Sequence, residues 1–215
     1  MMDGSLWYGS DETTRESDGF LTGVAVGVVT DNKDPDKLGR VRVQLPWQTA
    51  SDTSFWARLA VPMAGNARGS YFVPEVGDEV LVAAELGDAS YLYVLGSLWN
   101  TKQPPPVSDD DGKNNVRLIK SRSGHVVRFV DDESAPAVEI ELASGKKVVL
   151  DKDGITVDDG SDNVVKLAST SGAIEITASQ QLTIKAPTVS IEASASMTVK
   201  SSGTLTLSGT LVRIN

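Results

Sequence analysis

The sequence predicts an all-β chain, a small closed barrel followed by a β-solenoid prism that three copies build together. Three observations carry this expectation. Five short β-rich runs separated by turn residues fill positions 21–99, the composition changes abruptly near residue 104, and an apolar-x-apolar triplet recurs every seven or eight residues towards the C-terminus.

Residues 1–20 form a polar arm whose apolar side chains include Trp7 and Tyr8. Strands are then expected at Val24–Val29, Val41–Leu45, Trp56–Val61, Glu79–Leu86 and Tyr91–Leu98, all rich in β-branched and aromatic residues. Asn32 to Pro35, Gly65-Asn66, Gly77-Asp78 and Gly87-Asp88 supply the turns between them. Five strands in about eighty residues, without a helical period between them, point to a five-stranded barrel of the OB type over 21–103. All twelve aromatic residues lie between positions 7 and 129, and Trp47, Trp56 and Trp99 are expected to anchor the barrel. Pro104, Pro105 and Pro106, followed by Asp109, Asp110, Asp111 and Gly112, break strands, so 104–115 reads as a linker.

Beyond the linker, Val138–Leu142, Val148–Leu150, Ile155–Val157 and Val165–Leu167 read as an irregular β stem base over 116–167. The shaft, 168–215, holds nine Ser and eight Thr but only five charged side chains, so it cannot build an ordinary single-chain core. Its triplets pair Ile174 with Ile176, Leu182 with Ile184, Val189 with Ile191, Met197 with Val199, Leu205 with Leu207 and Val212 with Ile214. Apolar-polar-apolar is the two-residue period of a half-buried strand, and one strand plus one corner at a fixed spacing is the unit of a solenoid. Each unit contributes two aliphatic residues. A single chain would therefore enclose little apolar area and leave strand edges unpaired. Three chains wound into an intertwined triple-stranded β-helix pair every edge and turn the triplets to a shared axis, which predicts a homotrimer. Ten or so such units, each one strand spacing high, make a rod of roughly 50 Å. Glu175, Thr183, Ser190, Thr198, Thr206 and Arg213 would line its outer wall.

Composition narrows the chemistry. The 215 residues carry a formal net charge of −9, no cysteine and one histidine, His125. Disulfides, thiolate nucleophiles and thiolate metal sites are impossible, and one histidine cannot build a multi-histidine metal site within a chain. The acidic balance opposes nucleic-acid binding, which draws on Lys and Arg. Arg40 and Arg42 could share a strand face, yet Asp31, Asp34 and Asp36 cancel the field of neighbouring Lys33 and Lys37. His125 reads as a structural strand residue. Asp151, Asp153 and Gly154, and Asp158, Asp159 and Gly160, read as Asp/Gly corners, since the spaced ligands of a calcium loop are missing. Glu75, Asp78, Glu79 and Glu85 read as turn and strand residues, not as a paired-carboxylate site. The N-terminus has no basic region or apolar run of a secretory signal, and no run of eighteen apolar residues occurs. Synthesis in the cytoplasm without a signal peptide, and no cofactor or metal, are therefore expected.

Several runs in order carry a family resemblance: GVVTDNKDPDKLGRVRVQLPW at 27–47, WAR at 56–58, PMAG at 62–65, PEVGDEVLV at 74–82 and LGSLWN at 95–100. Over about residues 23–106 the chain resembles the OB domain of phage baseplate assembly protein V and of the VgrG spikes of type VI secretion. SGHVVRF at 123–129 and SGKKVVLD at 144–151 look like the start of the same family's stem. The resemblance implies a non-enzymatic, envelope-puncturing central spike of a contractile tail or phage-derived injection particle. It implies a baseplate hub at the barrel end, with Trp7 and Tyr8 as candidate contacts. At the other end it implies a separate PAAR-type tip protein, with Leu211, Arg213 and Asn215 as candidate contacts, because the final residues lack the histidine-rich apex of some short spikes. A trimeric receptor-binding or glycan-degrading tail spike is the alternative; the aromatic-free shaft offers no sugar-stacking platform for it.

Overall fold

A computed structural model describes residues 21–49 and 55–214. The chain divides into two compact units between Ser108 and Asp109.

The first unit contains β1 (Val24–Asp31), β2 (Val41–Gln44), β3 (Trp56–Leu59), the short pair β4 (Ala64–Gly65) and β5 (Arg68–Gly69), β6 (Glu79–Glu85) and β7 (Asp88–Leu98). Five of these close a barrel in the order β1-β2-β3-β7-β6, with β6 returning to β1. Every neighbouring pair is antiparallel except β3 and β7, whose parallel pairing of Arg58 with Tyr93 and Leu59 with Val94 completes the ring. Closure leaves no free edge, which removes the usual route to edge-to-edge aggregation. The five expected strands are all present, and the β4–β5 hairpin is an addition that the sequence reading passed over.

The barrel is filled by short aliphatic side chains: Val29, Val41, Val43, Leu45, Ala57, Val80, Val82, Leu92 and Val94 are buried. The alternation in β2, with Val41 and Val43 inward and Arg42 and Gln44 partly exposed, shows the period of two. The tryptophans do not fill this interior. Trp47 and Trp99 are 61% and 71% exposed, and Trp56 lies at the barrel wall. The physical reason is size. A five-stranded ring has room for valines, and β1 approaches β2 so closely that a Cβ on Gly27 would stand 2.3 Å from Val43 Cγ1.

The second unit is one antiparallel meander of seven five-residue strands: β8 (Val116–Lys120), β9 (Val126–Val130), β10 (Ala137–Glu141), β11 (Lys147–Asp151), β12 (Gly154–Asp158), β13 (Val164–Ala168) and β14 (Ala173–Thr177). Each strand pairs with its sequence neighbours over all five residues. Two corrections to the sequence reading follow. The stem is regular, and it runs on to Thr177, so that Ile174 and Ile176 belong to the sheet and not to a solenoid turn. Residues 178–214 form no strand within this chain, because consecutive triplets have no ladder to join once the meander ends.

Asp/Gly chemistry makes the hairpins. Asp151 Oδ1 accepts from the backbone N–H groups of Asp153 and Gly154, at 2.8 and 3.0 Å. Asp158 Oδ1 accepts from Gly160 N–H, and Asp159 Oδ1 accepts from Ser161 N–H. Gly154 is required by close approach: with φ +147°, a Cβ there would lie 1.8 Å from the Leu167 carbonyl oxygen.

Candidate functional site

The sheet has two unlike faces, and the register defines them. One cross-strand row runs Ile119, Val127, Ile140, Val148, Val157, Val165, Ile176. A second row on the same face runs Phe129, Val138, Leu150, Ile155, Leu167, Ile174. All are apolar, and those counted as exposed range from 36% to 70%. On the opposite face the central row reads Leu118, Arg128, Glu139, Val149, Thr156, Lys166, Glu175. Arg128 and Glu139 form an ion pair there at 2.6 Å. An antiparallel sheet normally covers one face and wets the other. Here the apolar face is the exposed one in the single chain.

The tail continues the pattern. Leu182, Ile184, Val189, Ile191, Met197, Val199, Leu205, Leu207, Leu211, Val212 and Ile214 are each 50–86% exposed. Glu175 lies on the polar face, opposite Lys166, and Arg213 is exposed. Trp7, Tyr8 and Asn215 lie outside the described residues.

His125 occupies the β8–β9 hairpin. Its Nδ1 accepts a hydrogen bond from Ala143 N–H at 3.2 Å, and its own N–H donates to Ser121 Oγ, tying this hairpin to the one between β10 and β11. Among the described residues no group of three or more His, Asp or Glu side chains is placed to hold a metal. The barrel carboxylates go to separate partners. Asp78 Oδ2 accepts from Glu75 N–H, Glu79 Oε2 from Asn100 Nδ2, and Glu85 Oε2 from the Tyr93 hydroxyl at 2.5 Å. The Glu85 carboxylate holds that hydroxyl's pKa above its usual range. In the β13-side hairpin, the Asn163 side chain and nearby N–H groups depress the Asp159 carboxyl.

The loop between β1 and β2 is built around Asp34, only 3% exposed. Its carboxylate accepts from the N–H groups of Asp36, Leu38 and Arg40 and from the Arg40 guanidinium at 2.7 Å, which also reaches Asp36 at 2.5 Å. The guanidinium beside it holds the Asp34 carboxyl far below the usual range and raises Arg40 in turn. Arg40 and Arg42 lie 5.9 and 4.9 Å from the centre of the Trp56 ring. The loop arginine thus serves a fold-defining clamp, and Trp56 works through its face as a seat for cations.

The β4–β5 hairpin shapes one side of a groove of about 980 Å³ on the barrel, with Arg58, Arg68, Tyr71, Phe72 and Tyr91 among its lining. Its sequence signal, Arg68 followed by the exposed aromatics Tyr71, Phe72 and Tyr91, has no strand-like alternation.

Residues 25–99 match the family described as the Type VI secretion system/phage-baseplate injector OB domain. The resemblance read from the sequence holds over the barrel. The chain is 33% identical over 132 residues to the type VI secretion system spike protein VgrG4b of Pseudomonas aeruginosa, covering 52% of this chain and 16% of that protein. It is 33% identical over 146 residues to VgrG1a of the same organism, covering 63% and 23%. It is also 31% identical over 116 residues to VgrG3 of Vibrio cholerae, covering 52% and 11%. The matches span less than a quarter of each of these relatives.

Proposed function

We propose that the protein is a structural, non-enzymatic central spike that punctures a cell envelope for a contractile phage tail or a phage-derived injection system, working as a homotrimer. The single observation that carries this reading is the bare apolar face. Thirteen cross-strand apolar positions, followed by exposed triplets over 182–214, are a surface built to be covered by copies of itself. Three meanders with their apolar faces turned to a common axis make a prism whose core is the two rows and whose outside is the row from Leu118 to Glu175. Below it, the six triplets of each chain wind into the shared β-helix, where a neighbour's backbone supplies the ladder each single chain lacks.

The mechanism is mechanical. Force from a contracting sheath passes along the barrel into the prism, and bending the prism requires many ladder bonds to break together. Trp7 and Tyr8 are assigned to contact with a baseplate hub, and exposed Trp47 and Trp99 to packing between neighbouring barrels. Leu211, Arg213 and Asn215 are assigned to a PAAR-type tip protein. The resemblance to VgrG-type spikes supports these placements, and no cofactor or nucleic acid enters the mechanism.

Light scattering tests it. The full chain is expected at three times the 22.8 kDa of one chain, and a form lacking 109–215 at the mass of a single barrel. A full-length monomer overturns the assembly, and with it the spike.

A further inference from the structure

The last strand of the meander has an open edge. β14 pairs with β13 on one side and, among the described residues, with nothing on the other. Alternate N–H and C=O groups of Ala173–Thr177 therefore point out of the sheet, where a further strand could take them. The next apolar-x-apolar triplet, Leu182-Thr183-Ile184, begins eight residues after Ile174, near enough in sequence to return as an eighth strand. It does not return: residues 178–214 contain no strand.

Two features account for this, and the first is turn chemistry. Five of the six meander hairpins carry a glycine with φ between +67° and +147°, namely Gly124, Gly145, Gly154, Gly160 and Gly172. At the sixth, between β9 and β10, Asp132 Oδ1 accepts from Ser134 N–H at 2.8 Å. Residues 178–181 read Ala-Ser-Gln-Gln, with no Gly, Pro, Asn or Asp to reverse the chain. The second feature is a latch. Ser179 donates through its N–H and its Oγ to Asn163 Oδ1, at 2.9 and 3.2 Å, and Asn163 Nδ2 donates to Asp159 Oδ2 at 2.6 Å. Asn163 directly precedes β13, so the latch holds the departing chain on the β13 side of β14, away from the open edge. Leu182 then lines a hollow of about 640 Å³ together with Val148, Val157, Val165 and Ile176 of the apolar face.

We infer that the open edge of β14 is taken by Leu182–Ile184 of a second copy of this chain, so that the ladder passes from within one chain to between chains at residues 178–181. The contact presupposes the three-chain reading and fixes where the intertwining begins. Reach permits it. Five Cα steps from Thr177 to Leu182 cover up to about 17 Å, enough to round a corner and advance one strand spacing of about 4.8 Å. Setting triplet against triplet puts Leu182 and Ile184 beside Ile174 and Ile176 on the covered face, and a slip of one residue would reverse the faces. Glu175 and Thr183, the centres of the two triplets, then lie opposite each other on the outer wall whichever way the incoming strand runs.

The chain has no cysteine, so Glu175→Cys combined with Thr183→Cys introduces the only thiols. Directly opposed strand residues have Cα atoms about 4.5–5.5 Å apart, within disulfide reach. Mild oxidation of the full chain should link each copy to the next and close a ring, seen as a covalent three-chain band on a non-reducing gel. Glu175→Cys with Thr198→Cys is the control. Its second thiol lies three strand spacings, about 14 Å, from β14 and should give less than about a tenth of that band. A three-chain species in light scattering that yields no covalent trimer, or that closes the bridge within one chain, overturns the inference and leaves the spike reading standing. A parent chain that is monomeric overturns both. Hydrogen exchange on the unsubstituted chain gives a second readout that stands whether or not the variants assemble. The β14 N–H groups turned away from β13 should exchange within about tenfold of those shared inside the meander. Free exchange at those groups in a three-chain species would equally overturn the inference.

Discussion

The barrel and the sheet are made from the same material and end in opposite states. In the barrel, valines on β1, β2, β6 and β7 reach one another across a ring and disappear from solvent. In the sheet, valines and isoleucines at the same two-residue period share one face and stay half in water. Curvature separates them. A parallel β3–β7 pair closes the first on itself; short Asp/Gly hairpins keep the second an open meander. A closed ring supplies its own partner, while an open one-faced sheet does not.

The comparison breaks most visibly if a charge is placed in the middle of the bare face. Val157→Glu should convert the proposed three-chain species to a single chain, measured by light scattering. A variant that keeps the three-chain mass would show that the face is not the seam. Next in size, Leu45→Ala removes a fully buried barrel side chain. It should cost about 2–4 kcal/mol in denaturant unfolding of the barrel and leave the number of chains unaltered.

A smaller effect is expected of Asp34→Asn, and its sign depends on pH. The Asp34 carboxyl titrates lower in the folded protein than in the unfolded chain, where it sits at about 3.9. Its contribution is therefore complete above that unfolded value and is lost as pH falls towards the much lower folded one. The variant should unfold at lower urea than the parent at pH 7, and the gap should narrow steadily below about pH 4. A gap that widens in acid would contradict the clamp. Smallest is Glu139→Gln on the wet face. Its ion pair with Arg128 is partly exposed, so the change should stay within about 1 kcal/mol in thermal unfolding, with assembly intact.

The five barrel strands were legible because turn residues bracket each β-branched run, and the Asp/Gly corners because their side chains close turns locally. The core was less so. Tryptophans are the largest apolar residues in 21–103, yet Trp47 and Trp99 lie outside, because the radius of a five-stranded ring, which no local pattern encodes, admits only short side chains. The Asp34–Arg40 clamp was legible as charge cancellation but not as a buried turn, since six residues of loop must fold back before the carboxylate can meet five donors. The groove is not legible in the sequence because Arg58, Arg68 and Tyr91 come from three separate segments.

What the sequence determined by itself is periodicity: strands everywhere, one apolar side to each, and a change of regime near residue 104. Alternation is a local property, set by which side chains tolerate a pleat and which residues permit a turn. What the tertiary structure decided is where each regime's apolar side goes. Pairing between distant strands closed one into a barrel. It carried the antiparallel sheet through Ile174 and Ile176 to Thr177, and left the later triplets without a ladder inside one chain. Ladder partners are non-local, and no count of residues along a chain reveals which edge will find which.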